Sequence, residues 1–347
     1  MSGQRNLLSL LEQHQALGIS SQIDYDKFYL YSIIAHSTAI EGSTVTEVEA
    51  QLLFDEGITS SKRTLTEQMM NLDLKNAYEY GREWIRKHHP ITIEWLISLA
   101  SKVMEHTGSE YHAMGGSFSA AKGELRLLNV TAGLGGKSYM SYQKVPVRLQ
   151  SFCDELNRRR QAIDPTDVLA IYDLSYWAHY EFVTIHPWAD GNGRTSRLVM
   201  NLIQMEFGVL PTKVLKQDKA AYIQALIDTR EQDDLDIFLS CMHNLHCAHL
   251  QHDIDQFLQS TDEKMVDKTQ IIAKMVDKWS IKPSLATKLV ELLLWMDDKD
   301  EVRTEQVVSA LGYTPTTAKR YLRQLTEWGY LKQQGANRNR SYVKPTE

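Results

Sequence analysis

The segment His186-Pro187-Trp188-Ala189-Asp190-Gly191-Asn192-Gly193-Arg194-Thr195-Ser196-Arg197 gathers the side chains best suited to do chemistry. Gly191 and Gly193 permit the positive-φ geometry that turns successive backbone N–H groups inward as an anion nest. A helical run starts directly behind them, so unpaired N–H groups and a positive dipole end face the same anion. Arg194 and Arg197, three residues apart, lie on one side of that helix. Two guanidiniums beside a nest suit a polyphosphate far better than a single carboxylate. Asp190, just before the nest, is placed to hold a Mg²⁺ that bridges phosphate oxygens. His186 has the ordinary titration range of a general base near neutral pH. A base, a metal ligand and a polyphosphate cradle are the parts that phosphoryl or nucleotidyl transfer needs.

The elements around this loop read as helices. A nearly all-round apolar stretch from Val168 to about Phe182 precedes it, led by the start signal Asp164-Pro165-Thr166-Asp167. A second begins near Asn192 and continues through RTSRLVMNLIQMEF. Helices apolar on most faces belong in the middle of a domain, so the loop between them is held rigidly. Upstream, helical spacing runs from Tyr25 to about Ala39, from Leu65 to Lys87 and from Thr92 to Glu105, and Thr46 with Glu49 forms a capping-box pattern before LLF. The exception is Gly123 to Pro146, where clustered glycines between β-prone residues predict a hairpin with a loose tip. No internal repeat or low-complexity tract is present.

These residues resemble the signature HPFxDGNGRxxR of the Fic family, with Trp188 in place of the usual phenylalanine. The resemblance extends over roughly Tyr25 to Cys241. It implies a mainly α fold: a Fic helical bundle with a β-hairpin flap at Gly123 to Pro146 that pins a target segment by strand-like pairing. It further implies that ATP donates AMP to a Ser, Thr or Tyr hydroxyl of a target protein, the chain itself included, with pyrophosphate leaving. In that scheme His186 deprotonates the hydroxyl and Asp190 binds Mg²⁺ between the α- and β-phosphates. Gly191, Asn192 and Gly193 hold phosphate oxygens, Arg194 contacts the β-phosphate and Arg197 the γ-phosphate. Tyr222 falls where the family places an adenine-pocket tyrosine, although the aromatic often beside it is Ile223 here. Ser37-Thr38-Ala39-Ile40-Glu41-Gly42 resembles the family's inhibitory helix, in which Glu41 would pair with Arg197 and keep the γ-phosphate from seating productively.

Two other patterns carry less. Gly133-Leu134-Gly135-Gly136-Lys137-Ser138 lacks the first glycine of a P-loop, that position being Thr131. His243, His246, His249 and His252, with Cys241 and Cys247, spread around a helix without tetrahedral spacing and read as core and surface residues.

After about Ser260 a charged stretch leads to Pro283, and helices at Leu285–Met296, Thr304–Leu311 and Thr316–Glu327 precede two short strands around a basic turn. That order is a winged helix-turn-helix. From Pro315 onward seven basic residues (Lys319, Arg320, Arg323, Lys332, Arg338, Arg340, Lys344) face two acidic ones, Glu327 and Glu347. Nucleic acid is therefore an expected partner there, against a protein-docking role. The predicted organisation is an N-terminal helical region (1–105), a catalytic core (106–260), a linker helix (261–282) and the winged-helix domain (283–347).

Composition sets the outer bounds. The net charge of −6, 38 basic against 44 acidic residues, argues against a chain that coats nucleic acid over its whole surface. No basic-then-apolar leader and no apolar run of ~20 residues is present, which predicts no membrane span. Three cysteines without a CxxC pair fit a reducing cytoplasm. The oligomeric state is open, an oligomer included. Two readings compete with an adenylyltransferase: a DNA-binding regulator whose Fic domain senses nucleotide, and a hydrolase that removes AMP from a modified protein.

Overall fold

The computed structural model describes residues 2–132, 137–297, 299–335 and 340–345. The chain divides into two compact units, Met1–Ile254 and Asp255–Glu347. Helices α1 (Ser2–Ala16), α2 (Tyr25–Ile40), α3 (Glu47–Glu56), α4 (Leu65–Arg86) and α5 (Ile93–Val103) come first. Strands β1 (Glu110–Ala113) and β2 (Gly116–Ser119) follow, then α6 (Val145–Ala162), α7 (Val168–Ile185), α8 (Asn192–Glu206), α9 (Lys219–Gln232) and α10 (Leu235–Trp279). The remaining elements are α11 (Pro283–Trp295), α12 (Thr304–Leu311), α13 (Pro315–Glu327), β3 (Lys332–Gln334) and β4 (Ser341–Val343). Among the described residues no helix is long and apolar enough to cross a membrane.

Local chemistry sets the helix starts. Thr46 and Thr64 each accept from the backbone three residues on, while Glu49 and Glu67 return the bond, completing two capping boxes. Asp167 accepts from the Ala170 N–H at 3.0 Å, as the start signal before α7 predicts. In the first unit one apolar core runs from Tyr29 and Leu30 of α2 through α4, α5, α6 and α7 to Ile203 of α8. The predicted N-terminal region and catalytic core thus share an interior. At its centre α7 and α8 pack along each other, and both are buried on most faces.

The segment 123–146 departs from a regular hairpin. Among the described residues its two limbs meet in one bridge, Thr131 to Ser138, supported by Tyr139 N–H to Val130 O at 3.0 Å and Ala132 N–H to Lys137 O at 3.2 Å. Residues 133–136, the expected tip and most of the rejected P-loop pattern, lie outside the described residues. The regular two-stranded sheet lies earlier, where β1 pairs antiparallel with β2, Tyr111 opposite Phe118. Four-residue strands with mixed burial carry too little alternation to be read from sequence.

In the second unit α11, α12 and α13 surround a core of Leu289, Val290, Leu293, Val307, Leu322 and Leu325. β3 and β4 pair antiparallel, and Val302 and Tyr342 exchange backbone bonds at 2.9 and 2.8 Å. This is the winged arrangement expected; Arg338 and Glu347 lie outside the described residues.

Candidate active site

Helix α7 ends at Ile185, and His186 takes the left-handed C-cap conformation (φ 51°, ψ 63°). Its N–H still donates to Phe182 O at 3.0 Å, so the imidazole leaves the helix end at a fixed angle. The Tyr139 ring stacks on it, centroids 3.8 Å apart and 17° from parallel. Arg230 of α9 lies 4.8 Å from the Tyr139 ring centre. Burial pushes the His186 pKa down to about 4; the Val183 backbone opposes this, and the Arg126 and Arg230 charges add to the depression. The imidazole is therefore unprotonated at neutral pH, the form a base needs, although its titration lies well below the ordinary histidine range.

Trp188 is 1% exposed, and its indole N–H donates to Gly123 O at 2.7 Å, tying the loop to the flap's root. Phenylalanine could not make that bond. Asn192 closes the loop from the other side: its amide donates to Trp188 O at 2.8 Å and accepts from Trp188 N–H at 3.1 Å. Its side chain thus shapes the turn.

Gly191 caps α8 at φ 83° and offers no side chain to satisfy the first turn. A Cβ on Gly193 would stand 2.5 Å from Glu41 Oε1 and 3.1 Å from Arg197 Nη1, so a side chain there would displace the Glu41 carboxylate from its present seat. Asp190 holds the Gly191 N–H at 2.6 Å, and its side chain is 55% exposed. No cluster of three or more His, Cys, Asp or Glu side chains suited to a metal occurs among the described residues. A Mg²⁺ here would take the single carboxylate of Asp190 and fill its shell with water and nucleotide oxygens, the usual habit of this ion.

Arg194 is buried, 3.7 Å from Asp190, with Nη2 donating to Met104 Sδ at 3.0 Å. Arg197, also buried, donates through Nε to Ser37 Oγ at 2.9 Å and through Nη2 to Ser37 O at 3.0 Å and Glu41 Oε1 at 2.6 Å. Burial alone would raise the Glu41 pKa, but Arg197, with Arg194 and Lys219 behind it, outweighs that and holds the carboxyl below its ordinary range. Gly42 follows at φ 109° and turns the chain away from α2. Lys219, at the start of α9, donates to Ile40 O at 2.7 Å and holds the end of α2.

Tyr222 is 1% exposed, its hydroxyl 2.9 Å from His179 Nε2. Burial raises its pKa while the adjacent Arg197 pulls it down. It lies in the layer behind the arginine, so a role against adenine requires this side chain to be uncovered.

The structure therefore brings Ser37, Glu41, His186, Asp190, Gly191, Gly193, Arg194 and Arg197 around one loop. It adds Arg126, Tyr139, His179 and Arg230, which the sequence reading did not single out. Only for His179 was there a signal: it lies on the same helix as the approach to His186, seven residues earlier. Three histidines on α10 settle into the core, His243 on Asp173 at 2.6 Å, His246 on Tyr172 at 3.1 Å and His249 on Asp218 at 2.8 Å, while His252 is exposed.

Comparison with known proteins agrees with this geometry. Residues 90–204 match the family model "Fic/DOC family" and residues 285–335 the "IclR helix-turn-helix domain". The chain is similar to "Protein adenylyltransferase Fic" of Drosophila grimshawi, 27% identical over 244 residues, 66% of this chain and 45% of that protein. It thus spans less than half the length of that relative. Among solved structures, a Fic family protein of Desulfovibrio desulfuricans G20 covers 100% of this chain and 95% of its own at TM-score 0.61 and 18% identity. A Fic domain containing signaling protein of Bacteroides thetaiotaomicron covers 73% and 98% at TM-score 0.60 and 20% identity; at such identities the likeness is one of fold. The chain accordingly carries a Fic/DOC-family domain, joined in sequence to a C-terminal helix-turn-helix.

Proposed function

We propose that this protein is an adenylyltransferase that moves AMP from ATP to a Ser, Thr or Tyr hydroxyl of a protein, and that Glu41 keeps it slow at rest. The observation that carries the reading is the convergence of an unprotonated His186, an exposed Asp190 carboxylate and an uncapped helix N-terminus flanked by Arg194 and Arg197. The relatives named as adenylyltransferases support it.

In this reading His186 accepts the hydroxyl proton at an imidazole nitrogen as the oxygen forms its bond to the α-phosphorus and the bond to pyrophosphate breaks. Asp190 would hold a Mg²⁺, which would supply charge neutralisation at the phosphates. The first-turn N–H groups of α8 and Arg194 hold the polyphosphate, and Arg197 takes the γ-phosphate once Glu41 has left it. Tyr222 forms the adenine side of the pocket on being uncovered. The winged domain adds a duplex-DNA partner: Lys319, Arg320 and Arg323 are exposed on α13, the third helix of that unit.

The test is incubation of the full chain with each α-labelled nucleotide and a cell lysate, beside His186→Ala. Label on protein that depends on His186 and on ATP supports the reading. ATP bound without label on any protein favours the nucleotide-sensing regulator, and AMP released from a modified protein, with none added, favours the hydrolase.

A further inference from the structure

Arg126 is 1% exposed, yet among the described residues no carboxylate pairs with it, and burial pulls its pKa down. A guanidinium is costly to bury unless its donors are used, and here they are spent on backbone. Nε donates to His186 O at 2.7 Å, Nη1 to Leu128 O at 2.8 Å and Nη2 to Met140 O at 2.7 Å. Its own backbone N–H donates to Pro187 O at 3.0 Å. One side chain thus joins three stretches of main chain: the histidine's carbonyl, the outgoing limb of the flap at Leu128 and the returning limb at Met140.

The neighbours give these bonds a direction. Tyr139, beside Met140, is the residue stacked on the His186 ring. Its N–H bonds to Val130 O, two residues past Leu128. Among the described residues the limbs are also joined by the bridge near the tip and by Tyr142 N–H donating to Asn129 Oδ1 at 3.0 Å. At their roots the planar fork of Arg126 fixes the spacing between them, and it fixes both against the histidine. Lysine cannot reproduce a fork of fixed geometry.

We infer that Arg126 is a positioning residue that sets the height and register of the flap over His186, so that a hydroxyl presented along the flap falls at the imidazole. This rests on the transferase reading above. Arg126 touches neither nucleotide nor acceptor in this account; it acts through the backbone of His186 and the flap.

The test uses the full chain carrying Glu41→Gly as parent, with Arg126→Lys and Arg126→Met added separately. ATP binding is followed by calorimetry, AMP incorporation into the protein itself with α-labelled ATP, and the His186 imidazole titration by NMR. Arg126→Met should bind ATP within about twofold of the parent, because nest and arginines are untouched, and lose roughly 10²-fold in incorporation, the scale of a 1 Å misplacement. The lysine variant should stay at least about tenfold below the parent, since it keeps the charge and loses the fork. With the flap released and the nearby charge gone, the His186 titration in Arg126→Met should move up from about 4 towards the ordinary 6.5. A folded methionine variant that labels at the parent's rate with an unmoved titration overturns the inference. If that variant does not fold, Arg126→Lys decides, and parental incorporation in it is equally fatal. A parent that labels nothing defeats the transferase reading alone, while the His186 titration still decides whether Arg126 holds the flap over the histidine.

Discussion

Glu41 reaches across 156 positions of sequence to place Oε1 2.6 Å from Arg197 Nη2. The same oxygen lies over Gly193, in the floor of the anion nest. A carboxylate there presents to the arginine the charge a phosphate would bring. Glu41→Gly should therefore raise AMP transfer, each ~1.4 kcal/mol of relieved bias giving a tenfold gain in the competent fraction until that state dominates. Arg197→Ala should not mimic this, because it removes the partner of both carboxylate and phosphate, and the double variant should behave like the arginine variant. Self-labelling and lysate labelling with α-labelled ATP measure all three; a folded, ATP-binding Glu41→Gly protein no faster than wild type removes the inhibitory role.

His186→Ala should lower transfer by about 10²–10⁴-fold, the usual contribution of a positioned base. ATP binding measured by calorimetry should survive, as the nest does not involve the imidazole. Wild-type transfer in this variant would sink the assignment.

Asp190→Ala should weaken Mg²⁺-dependent ATP binding and transfer together, since its carboxylate is the protein's share of the metal shell. Titrating Mg²⁺ against bound ATP checks this. An unchanged metal dependence assigns Asp190 a different part.

Stability should fall in acid before the carboxylates titrate. Burial holds His179 and His246 down at about 3 and His186 at about 4, against an ordinary 6.5. The folded state keeps these rings neutral while the unfolded chain protonates them near 6.5. Stability is thus fully present above 6.5 and declines as pH drops towards the folded values. For the wholly buried His179 and His246 the loss by pH 4 is on the order of 3 kcal/mol each. Urea unfolding at pH 7, 5.5 and 4.5 measures it in a window above that of Glu49 and Glu67, both pulled down to about 2. A flat profile between pH 6.5 and 4.5 contradicts it.

Replacing Lys319, Arg320 and Arg323 together by Ala should weaken duplex-DNA binding at low salt. If each neutralises one phosphate, the slope of log K against log salt should become shallower by roughly 2.7. Fluorescence anisotropy at several salt concentrations reads both. Equal affinity and slope in the triple variant would move the DNA contact off this helix.

Much of this arrangement was legible beforehand where the causes are local. Thr46, Asp167 and the glycines of the motif act within a few residues, and the motif's order fixes the start of α8 near Asn192. The meeting of Glu41 with Arg197 was legible only through resemblance, because nothing local links the two segments. Arg126, Tyr139 and the orientation of Asn192 escaped for a plain reason: their partners are main-chain atoms or ring faces, which have no residue type. An arginine that bonds three carbonyls looks, in sequence, like any arginine in a loop.

The residues that carry Glu41 are not a detachable arm. Leu30, Ile33 and Ile34 of α2 lie in the main core, and Ala35 closes a second cluster with Val45 and Ala50. Peeling the helix away would return at least three large side chains to water, at about 1.5–3 kcal/mol each, and would open the domain. Glu41, by contrast, stands at the C-cap, past the last helical residue and just before Gly42. Unwinding this short stretch, or swinging one carboxylate, costs far less than undocking. The proposed throttle would thus be a latch at the rim of a permanently seated rod, and whatever released it would need to grip only the few residues around the end of α2.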